Sequence, residues 1–364
     1  MPSDYHCDGE INSESEKFVF IIPKKEEELK RRGVEEMSKG RILSGMRSTG
    51  RLHIGHLSVL ENWVKLQDEY ECFFMVADWH ALTSNYADTH DMQQNIRDLV
   101  IDWMAAGLDP SKSTIFVQSH VKEHAELHLL FSMITPLSWL ERVPTYKDQI
   151  AQLGKQGKDL NTYGFLGYPL LQAADILVYK ANAVPVGEDQ LPHLEFTREV
   201  ARRFNFMYKA EIFPEPQPII GQVALLPGID GRKMSKSYNN FINISSESKD
   251  LAAKVNAMIT DPARIKKTDP GHPEICTVHT YHTIYSAAEL EDIRTKCRAG
   301  EIGCVACKKM LGAKLDELLN PIREKRAALE KNPDYVNKVL AEGAEKARSV
   351  ASEVLKEVRK VMNM

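Results

Sequence analysis

The sequence predicts an α/β protein built on a Rossmann-like, doubly wound parallel sheet, with an all-helical C-terminal domain. From Arg41 to about residue 205, short apolar strands alternate with longer helical segments, a pattern typical of right-handed βαβ units. Beyond Lys249 the strand signals fade, and apolar residues recur at helical spacing from Val336 to Val361. The predicted divisions are an N-terminal extension (1–40), a catalytic domain with a helical insertion (41–249) and a helical domain (250–364).

Hydrophobic patterning predicts the individual elements. Short, largely apolar runs between turn residues indicate strands, and apolar residues recurring every three or four positions indicate helices. The predicted strands are Arg41–Ser44, Cys72–Asp78, Ser113–Ser119 and Ala183–Val186. The predicted helices are Ile54–Gln67, Met92–Ala106, Glu123–Met133, Tyr168–Lys180 and Gln190–Phe204. A turn is predicted over Gly45–Gly50, and the extension holds a β-like run, Phe18–Ile22, and a charged helix-like segment, Lys24–Lys39.

Composition excludes fibrous and wholly disordered chains, because 43% of the 364 residues are hydrophobic and 27% are charged. No apolar run approaches the roughly 20 residues that cross a bilayer, and the acidic start is unlike a secretory signal. We therefore expect a cytoplasmic protein without membrane association. The net charge is −4, but residues 251–364 hold 20 basic and 16 acidic residues, so this third is the favoured face for a polyanion. A solvated helical surface would give the same imbalance.

The segment Arg47–His56 lies at the junction between the first predicted strand and the first predicted helix. In a doubly wound sheet this junction faces the ligand crevice, and a helix start there presents free N–H groups to phosphate. Gly55 removes a side chain where a nucleotide must approach, and His53 and His56 can donate to phosphate oxygens. Two surface histidines near a turn are the alternative interpretation.

A second polar motif, Gly231–Ser237, contains two lysines and two hydroxyl groups. On a flexible loop, Lys233 and Lys236 can close over a triphosphate and neutralise a departing pyrophosphate. A basic loop that is merely solvated is the alternative, and the earlier histidine motif favours the phosphate site.

The helix that begins at Tyr168 places Tyr168, Gln172 and Asp175 along one polar edge of an otherwise apolar cylinder. A carboxylate among apolar residues costs several kcal/mol if it is buried without a partner, so Asp175 should have a designated donor. The N–H or O–H of an aromatic substrate is one candidate, and a protein cation such as Lys147 or Arg198 is the other. Downstream, Pro185–Gln190 ends a strand and opens a helix, where an acid can accept from ribose hydroxyls.

Four of the six cysteines fall in one short window, with gaps of 20, 6 and 2 residues: Cys276, Cys297, Cys304 and Cys307. In a chain expected to be cytoplasmic, this clustering favours metal over disulfides. Four thiolates suit structural zinc or an iron–sulfur cluster, and the spacing does not choose between them. Partly buried free thiols are the remaining alternative.

His53–His56 and Lys233–Ser237 resemble the two signature sequences of class I aminoacyl-tRNA synthetases, in the expected order and without a mismatch. From about Arg41 onward the chain is similar to bacterial-type tryptophanyl-tRNA synthetases, on the segments Asp78–His80, Tyr168–Asp175, Pro185–Gln190 and Glu342–Arg348. This resemblance implies a homodimer that uses ATP and Mg²⁺ to attach L-tryptophan to tRNA(Trp) through a tryptophanyl-adenylate.

The resemblance also implies a role for each matching residue. Catalysis would involve His53, His56, Lys233 and Lys236. The ATP site would comprise Arg47, Ser48, Thr49, Gly55, His56, Gly187, Glu188, Asp189, Val223, Lys233, Met234, Ser235, Lys236 and Ser237. The tryptophan site would comprise Gly45, His80, Tyr168, Gln172, Asp175 and Gln190, with Asp175 accepting the indole N–H.

Two positions depart from the commonest tryptophanyl pattern. His53 and His56 stand where many relatives have Thr and Asn, which strengthens the class assignment. Gln172 stands where many have Met, and tyrosyl-tRNA synthetases often have Gln there, so a tyrosyl enzyme is the nearest alternative.

The cysteine window is also similar to that of a subset of tryptophanyl-tRNA synthetases, which carry a four-iron cluster near the anticodon-binding region. This similarity favours [4Fe-4S] over zinc and implies a structural or recognition role, with nearby Lys308, Lys309 and Lys314 meeting tRNA phosphates. Two further alternatives are a non-catalytic nucleotide- or RNA-binding iron–sulfur regulator and a small-molecule adenylyltransferase. The intact signatures argue against the regulator, and the helical C-terminal third argues against the adenylyltransferase.

Overall fold

A five-stranded parallel sheet forms the centre of the chain. The computed structural model describes residues 39–143, 160–221, 226–234 and 238–364. Across the sheet the strands run β3–β2–β1–β4–β5, and their bounds are β1 Arg41–Met46, β2 Glu71–Val76, β3 Ser113–Val117, β4 Ala183–Val186 and β5 Gln217–Ile220. The predicted doubly wound class is confirmed. Because the strand order reverses between β1 and β4, a crevice is expected at the carboxyl ends of these two strands.

Helices surround the sheet and continue beyond it. Their bounds are α1 Leu57–Leu66, α2 Asp78–Asn85, α3 Met92–Ala105, α4 Glu123–Ser132, α5 Leu137–Glu141, α6 Tyr163–Leu166, α7 Tyr168–Leu177, α8 Leu191–Tyr208, α9 Ser248–Ala257, α10 Thr277–Tyr285, α11 Leu290–Arg298, α12 Cys304–Glu330 and α13 Pro333–Val361. Short 3₁₀ turns span Ile54–His56, Gln118–His120, Glu188–Gln190 and Pro273–Ile275. Within the described ranges, no helix is both long and apolar enough to cross a bilayer.

Alternate residues of the strands build two separate cores, one on each face of the sheet. In β2, Phe74 and Val76 join the core that contains Trp63 of α1, whose ring stacks on Phe74 with centroids 4.5 Å apart. Phe73 and Met75 point the other way, into the core formed with α4, α7 and α8. The sheet is therefore covered on both faces, as a parallel sheet requires.

The last two helices are long and pack on the α/β core. Helix α12 buries Leu311, Leu315 and Leu319 in the first core, and α13 contributes its apolar stripe mainly to the second. Gly343 of α13 lies so close to β3 that an added Cβ would stand 1.9 Å from the carbonyl oxygen of Ile115. The described residues from 39 onward belong to one compact unit. The boundary near residue 250 stays a prediction.

The bounds of several elements differ from those predicted. Strand β2 ends at Val76, and Asp78 begins helix α2, which was not predicted. The first helix begins as the 3₁₀ turn Ile54–His56 before α1. Gly45 and Met46 belong to β1 rather than to a turn. The run predicted over Phe18–Ile22 lies outside the described residues.

Candidate functional site

A cavity of about 600 Å³ opens at the carboxyl ends of β1 and β4, where the strand order reverses. Its volume is within the roughly 300–1,000 Å³ range of small-molecule sites. The predicted residues that line it are Gly45, Arg47, His56, His80, Tyr168, Gln172, Asp175, Gly187, Asp189 and Gln190. All six residues predicted to contact tryptophan are therefore brought together at one cavity.

The histidine signature forms the turn that follows β1. His53 has extended backbone, and its N–H donates to Nδ1 of His56 at 3.2 Å. The 3₁₀ turn is closed by the N–H of His56, which donates to the His53 carbonyl at 2.8 Å. The two imidazole rings lie with centroids 3.8 Å apart. An added Cβ on Gly55 would stand 3.1 Å from the His53 ring, so glycine is needed for this close packing.

The described part of the second signature lies directly beside the first. Lys233 pairs with Pro227 in an antiparallel bridge, and its carbonyl accepts from the Asn240 amide at 3.1 Å. The sulfur of the next residue, Met234, lies 3.6 Å from the position of a Cβ on Gly55. The two motifs thus meet in the fold although about 180 residues separate them in sequence. Ser235, Lys236 and Ser237 lie outside the described residues.

Asp175 is fully buried beneath the cavity and is held by three donors. Gln118 Nε2 donates to both carboxylate oxygens at 2.8 and 2.9 Å, His124 Nδ1 to one at 2.7 Å, and His80 Nε2 to the other at 2.8 Å. Burial alone would raise the pKa of Asp175, but the bonds and charges of His124 and His80 hold that pKa well below its usual range. The carboxylate is therefore ionised, and both its oxygens are occupied.

The cation proposed as an alternative partner for Asp175 is engaged elsewhere. Arg198 contacts the carboxylate of Glu195 at 3.1 Å and the amide oxygen of Gln217 at 2.9 Å. Lys147 lies outside the described residues. Among the described residues, two histidines and a glutamine perform the role that was predicted for a single substrate group or cation.

His193 connects the other two polar residues of α7. Its Nδ1 lies 2.9 Å from Oε1 of Gln172, and its Nε2 lies 3.3 Å from the hydroxyl of Tyr168. Burial, aided by His80, lowers the pKa of His193 to about 4, so the ring is neutral at pH 7. A neutral ring donates with one nitrogen and accepts with the other, and it can therefore fix both Gln172 and Tyr168.

The turn after β4 forms the opposite rim of the cavity. Asp189 folds back over Gly187, where an added Cβ would stand 2.7 Å from its carboxylate oxygen. The Gln190 amide donates to the other Asp189 oxygen at 3.0 Å. Glycine at 187 thus leaves room for a carboxylate that faces the cavity. Glu188 lies on the same 3₁₀ turn but not on the cavity wall, and Val223 lies outside the described residues.

The predicted nucleotide residues after β1 divide between two cavities. Arg47 lines the first cavity and bonds the carbonyl of Ala81 at 3.4 Å and the hydroxyl of Ser84. Burial lowers the pKa of Arg47. Ser48 and Thr49 line a neighbouring cavity of about 560 Å³. The structure therefore does not place all three residues on one wall.

The four clustered cysteines approach one another without a disulfide. Burial, together with the smaller effect of the other three thiols, raises the pKa of Cys307 to about 12, so all four thiols lie within electrostatic range of one another. The guanidinium of Arg264 lies 3.8 Å from the sulfur of Cys297 and 4.0 Å from that of Cys304. Within the described ranges, no group of three or more His, Cys, Asp or Glu side chains is arranged to hold a single metal ion.

Three residues that matter to this site were missed in the sequence: Gln118, His124 and His193. His124 and His193 are each buried polar residues on helices whose neighbouring buried positions are apolar. A histidine on the apolar face of a helix was the available signal, since such a residue needs a hydrogen-bond partner. Gln118 carried no comparable signal.

Comparisons with known proteins agree with this arrangement. The family described as tRNA synthetases class I (W and Y) matches residues 35–320. A tryptophan–tRNA ligase of Thermotoga maritima is 56% identical over 89% of this chain and 99% of its own length, and one of Aquifex aeolicus is 46% identical over 89% and 100%. The crystal structure of a Campylobacter jejuni tryptophanyl-tRNA synthetase with ADP and tryptophan superposes with a TM-score of 0.80 at 32% identity, covering 89% of this chain and 100% of that one.

Proposed function

This chain belongs to the class I tRNA synthetases of the tryptophan and tyrosine family, and from that membership we propose how its residues carry out the reaction. It is a tryptophan–tRNA ligase, which uses ATP to join tryptophan to tRNA. The observation that carries this function is the meeting of Gly55 and Met234, because it brings both signature motifs together next to His56, which lines the cavity.

In the first step, the tryptophan carboxylate attacks the α-phosphorus of ATP, and pyrophosphate leaves. No enzyme nucleophile is needed, so catalysis comes from alignment and from donors placed where negative charge grows. We assign the donors to His53, His56, Lys233 and Lys236, and ribose binding to Asp189. Mg²⁺ would arrive bound to the phosphates of ATP, since Mg²⁺ is usually held in part by substrate phosphates.

Tryptophan would lie in the cavity with its indole N–H on Asp175 and its amino and carboxylate groups near Tyr168 and Gln190. Both oxygens of Asp175 already accept hydrogen bonds, so the indole N–H has to reach the carboxylate from the side that faces the cavity. Of the three donors, only His80 lines the cavity. We therefore assign the indole N–H to the position of His80 Nε2, with His124 and Gln118 remaining in place.

In the second step, the terminal ribose hydroxyl of tRNA(Trp) displaces AMP from the adenylate. The basic residues on and near α12 are proposed to meet the phosphates of that tRNA, because phosphate contacts supply most of the affinity for a nucleic acid. The proposal includes a cytoplasmic homodimer, and sedimentation of the purified protein tests its dimeric state.

Pyrophosphate exchange into ATP tests the function and separates its rivals. Exchange should depend on tryptophan and not on tyrosine, because tyrosine lacks the indole N–H that we assign to the position of His80 Nε2 on Asp175. A tyrosine-dependent exchange would identify the tyrosyl alternative, and no exchange with either would support a regulator.

Substitution of His56 tests the assigned roles. His56→Ala should lower the exchange rate about a hundredfold with little change in tryptophan affinity, since the ring acts on charge that develops in the transition state. His90→Ala is the matched control, because His90 is fully exposed. Equal losses of rate and tryptophan affinity in His56→Ala would mean that the role is misassigned.

We further propose that Cys276, Cys297, Cys304 and Cys307 hold a [4Fe-4S] cluster. One zinc ion would draw its four sulfurs to within roughly 3.8 Å of each other, given Zn–S bonds of about 2.3 Å. The four thiols interact, and among the described residues no group is arranged to hold a single metal ion, so the choice of the cluster rests on the resemblance of the cysteine window to that of the cluster-bearing synthetases. A four-iron cluster takes one thiolate at each of four irons and so accommodates wider spacing. When bound, it would crosslink this region rather than take part in aminoacylation.

Iron content and visible absorption of anaerobically purified protein test the cluster directly. We expect about four irons per chain and a brown sample, and Cys304→Ser should lose both. A colourless protein with one zinc would reject the cluster and leave the ligase function intact.

A further inference from the structure

A buried ion-pair network connects α12 to the backbone that precedes the histidine signature. Arg326 of α12 is only 3% exposed, and its guanidinium contacts the carboxylates of Asp98, at 2.5 Å, and of Asp102. Both aspartates belong to α3, and Asp102 is fully buried. The second carboxylate oxygen of Asp102 accepts the backbone N–H of Leu52 at 2.8 Å.

Leu52 directly precedes His53, so its backbone position governs where the signature begins. The Leu52 carbonyl accepts from the N–H of Ile244 at 3.1 Å, and the N–H of Ile54 donates to the carbonyl of Ile242 at 2.8 Å. These two bonds tie one edge of the segment to residues 242–244. The bond to Asp102 ties the segment to α3.

Stability alone does not account for this network, because removing two or more charges from water usually costs as much free energy as their attraction returns. Burial raises the pKa of Asp102, whereas the charge of Arg326 and the Leu52 N–H oppose that rise. Two contacts complete the network, from Arg326 to Glu330 at 3.0 Å and from Arg51 to Asp98 at 3.6 Å. What such a rigid, fork-shaped pair supplies is orientation.

We propose that Asp102 and Arg326 are positioning residues for adenylation: Asp102 anchors the Leu52 amide, and Arg326 orients Asp102, so that His53 and His56 face the phosphates. The inference rests on the proposed function. It gives α12, whose first turn contains Cys304 and Cys307, a direct connection to the active site at its other end.

Three variants test the proposal in tryptophan-dependent pyrophosphate exchange. Arg326→Met should lower kcat at least tenfold, equivalent to about 1.4 kcal/mol of transition-state stabilisation, with the KM for tryptophan unchanged within twofold. Arg326→Lys keeps the positive charge but loses the fork-shaped guanidinium, and its kcat should fall about threefold. Leu315→Ala is the control, since it weakens the packing of the same helix about 16 Å from Arg326 along its axis. It should lower Tm without changing kcat per folded molecule.

Hydrogen exchange at the Leu52 amide supplies a readout that does not depend on activity. This amide should exchange faster in Arg326→Met than in Leu315→Ala when both are measured under folded conditions. If Arg326→Met does not fold, Arg326→Lys is compared with Leu315→Ala in its place. The proposal would be overturned if the kcat of Arg326→Met were no lower than that of Leu315→Ala, or if the hydrogen-exchange rate of its Leu52 amide were unchanged. Absence of tryptophan-dependent pyrophosphate exchange in the wild type would instead reject the proposed function.

Discussion

Replacing His124 with Phe should show how strongly the charge of Asp175 depends on its buried donors. His124 is fully buried, with Nδ1 at 2.7 Å from Asp175 and Nε2 at 2.7 Å from the hydroxyl of Tyr179. Phe is somewhat larger than His, so the substitution removes two hydrogen bonds without opening a cavity. Any strain from the larger ring adds to the loss of the polar contacts.

The expected loss of stability follows from these two bonds. A hydrogen bond to a charged carboxylate contributes about 1.5–3 kcal/mol, and leaving a buried hydroxyl unpaired costs about 1–3 kcal/mol. Burial raises the pKa of Tyr179 well above its ordinary value, so the hydroxyl cannot escape this cost by ionising. The free energy of unfolding should fall by about 3–5 kcal/mol. At about 2 cal/mol/K per residue, this corresponds to a Tm lower by about 4–7 °C.

Thermal unfolding of His124→Phe and of a matched His90→Phe variant provides the assay. His90 makes a bond of similar length to Asp91, at 2.9 Å, but both side chains are almost fully exposed. The control should therefore leave Tm unchanged within error. In exchange assays, only His124→Phe should raise the KM for tryptophan, because Asp175 lines the cavity. Equal Tm values for the two variants would refute the view that burial makes this bond important.

Three other predictions follow from single contacts. The pKa of His193 is about 4 when folded and about 6.5 when unfolded, so the unfolded chain binds the extra proton between these values and stability falls as pH falls. In urea unfolding, the free energy of unfolding should fall by about 1.5 kcal/mol from pH 6.5 to 5, and His193→Asn should lack this fall. Equal falls in the two proteins would contradict the pKa of the folded state. Gly187→Ala should push Asp189 aside and raise the KM for ATP about tenfold at unchanged Tm; an unchanged KM would separate Asp189 from ribose binding. Gly343→Ala should cost about 1–3 kcal/mol in calorimetry because its methyl meets a β3 carbonyl, whereas Gly312→Ala, with its nearest neighbour at 4.0 Å, should not destabilise the protein.

The sheet was predictable where strands are apolar and bounded by turn residues. Strand β4 was predicted with its bounds, and β1 to β3 within two residues. Strand β5 was not predicted: it has the same length as β4 and also contains a proline, but none of its residues is buried, whereas β4 begins with two buried residues. Helix α2 was missed because its buried positions include Asp78 and Ser84, so its sequence lacks a clear apolar stripe.

At the site, motifs were predictable and hydrogen-bond partners were not. The sequence motifs identified residues that do line one cavity, because their positions at the ends of β1 and β4 follow from sheet topology. The donors on Asp175 include Gln118 and His124, which lie 57 and 51 residues away. No local pattern connects such distant residues, so the interpretation based on a single donor missed a network of three.

The close packing of α13 on β3 has a consequence for biosynthesis. A ribosome makes Pro333–Val361 after every other described element, yet this helix contributes Ala347, Ala351 and Val358 to the core beneath α7 and α8. That core cannot close until this helix has been made and has left the exit tunnel. Until then the nascent chain keeps an unfinished apolar surface, so a transcript with a stop codon before this helix would yield a product recognised by chaperones and proteases.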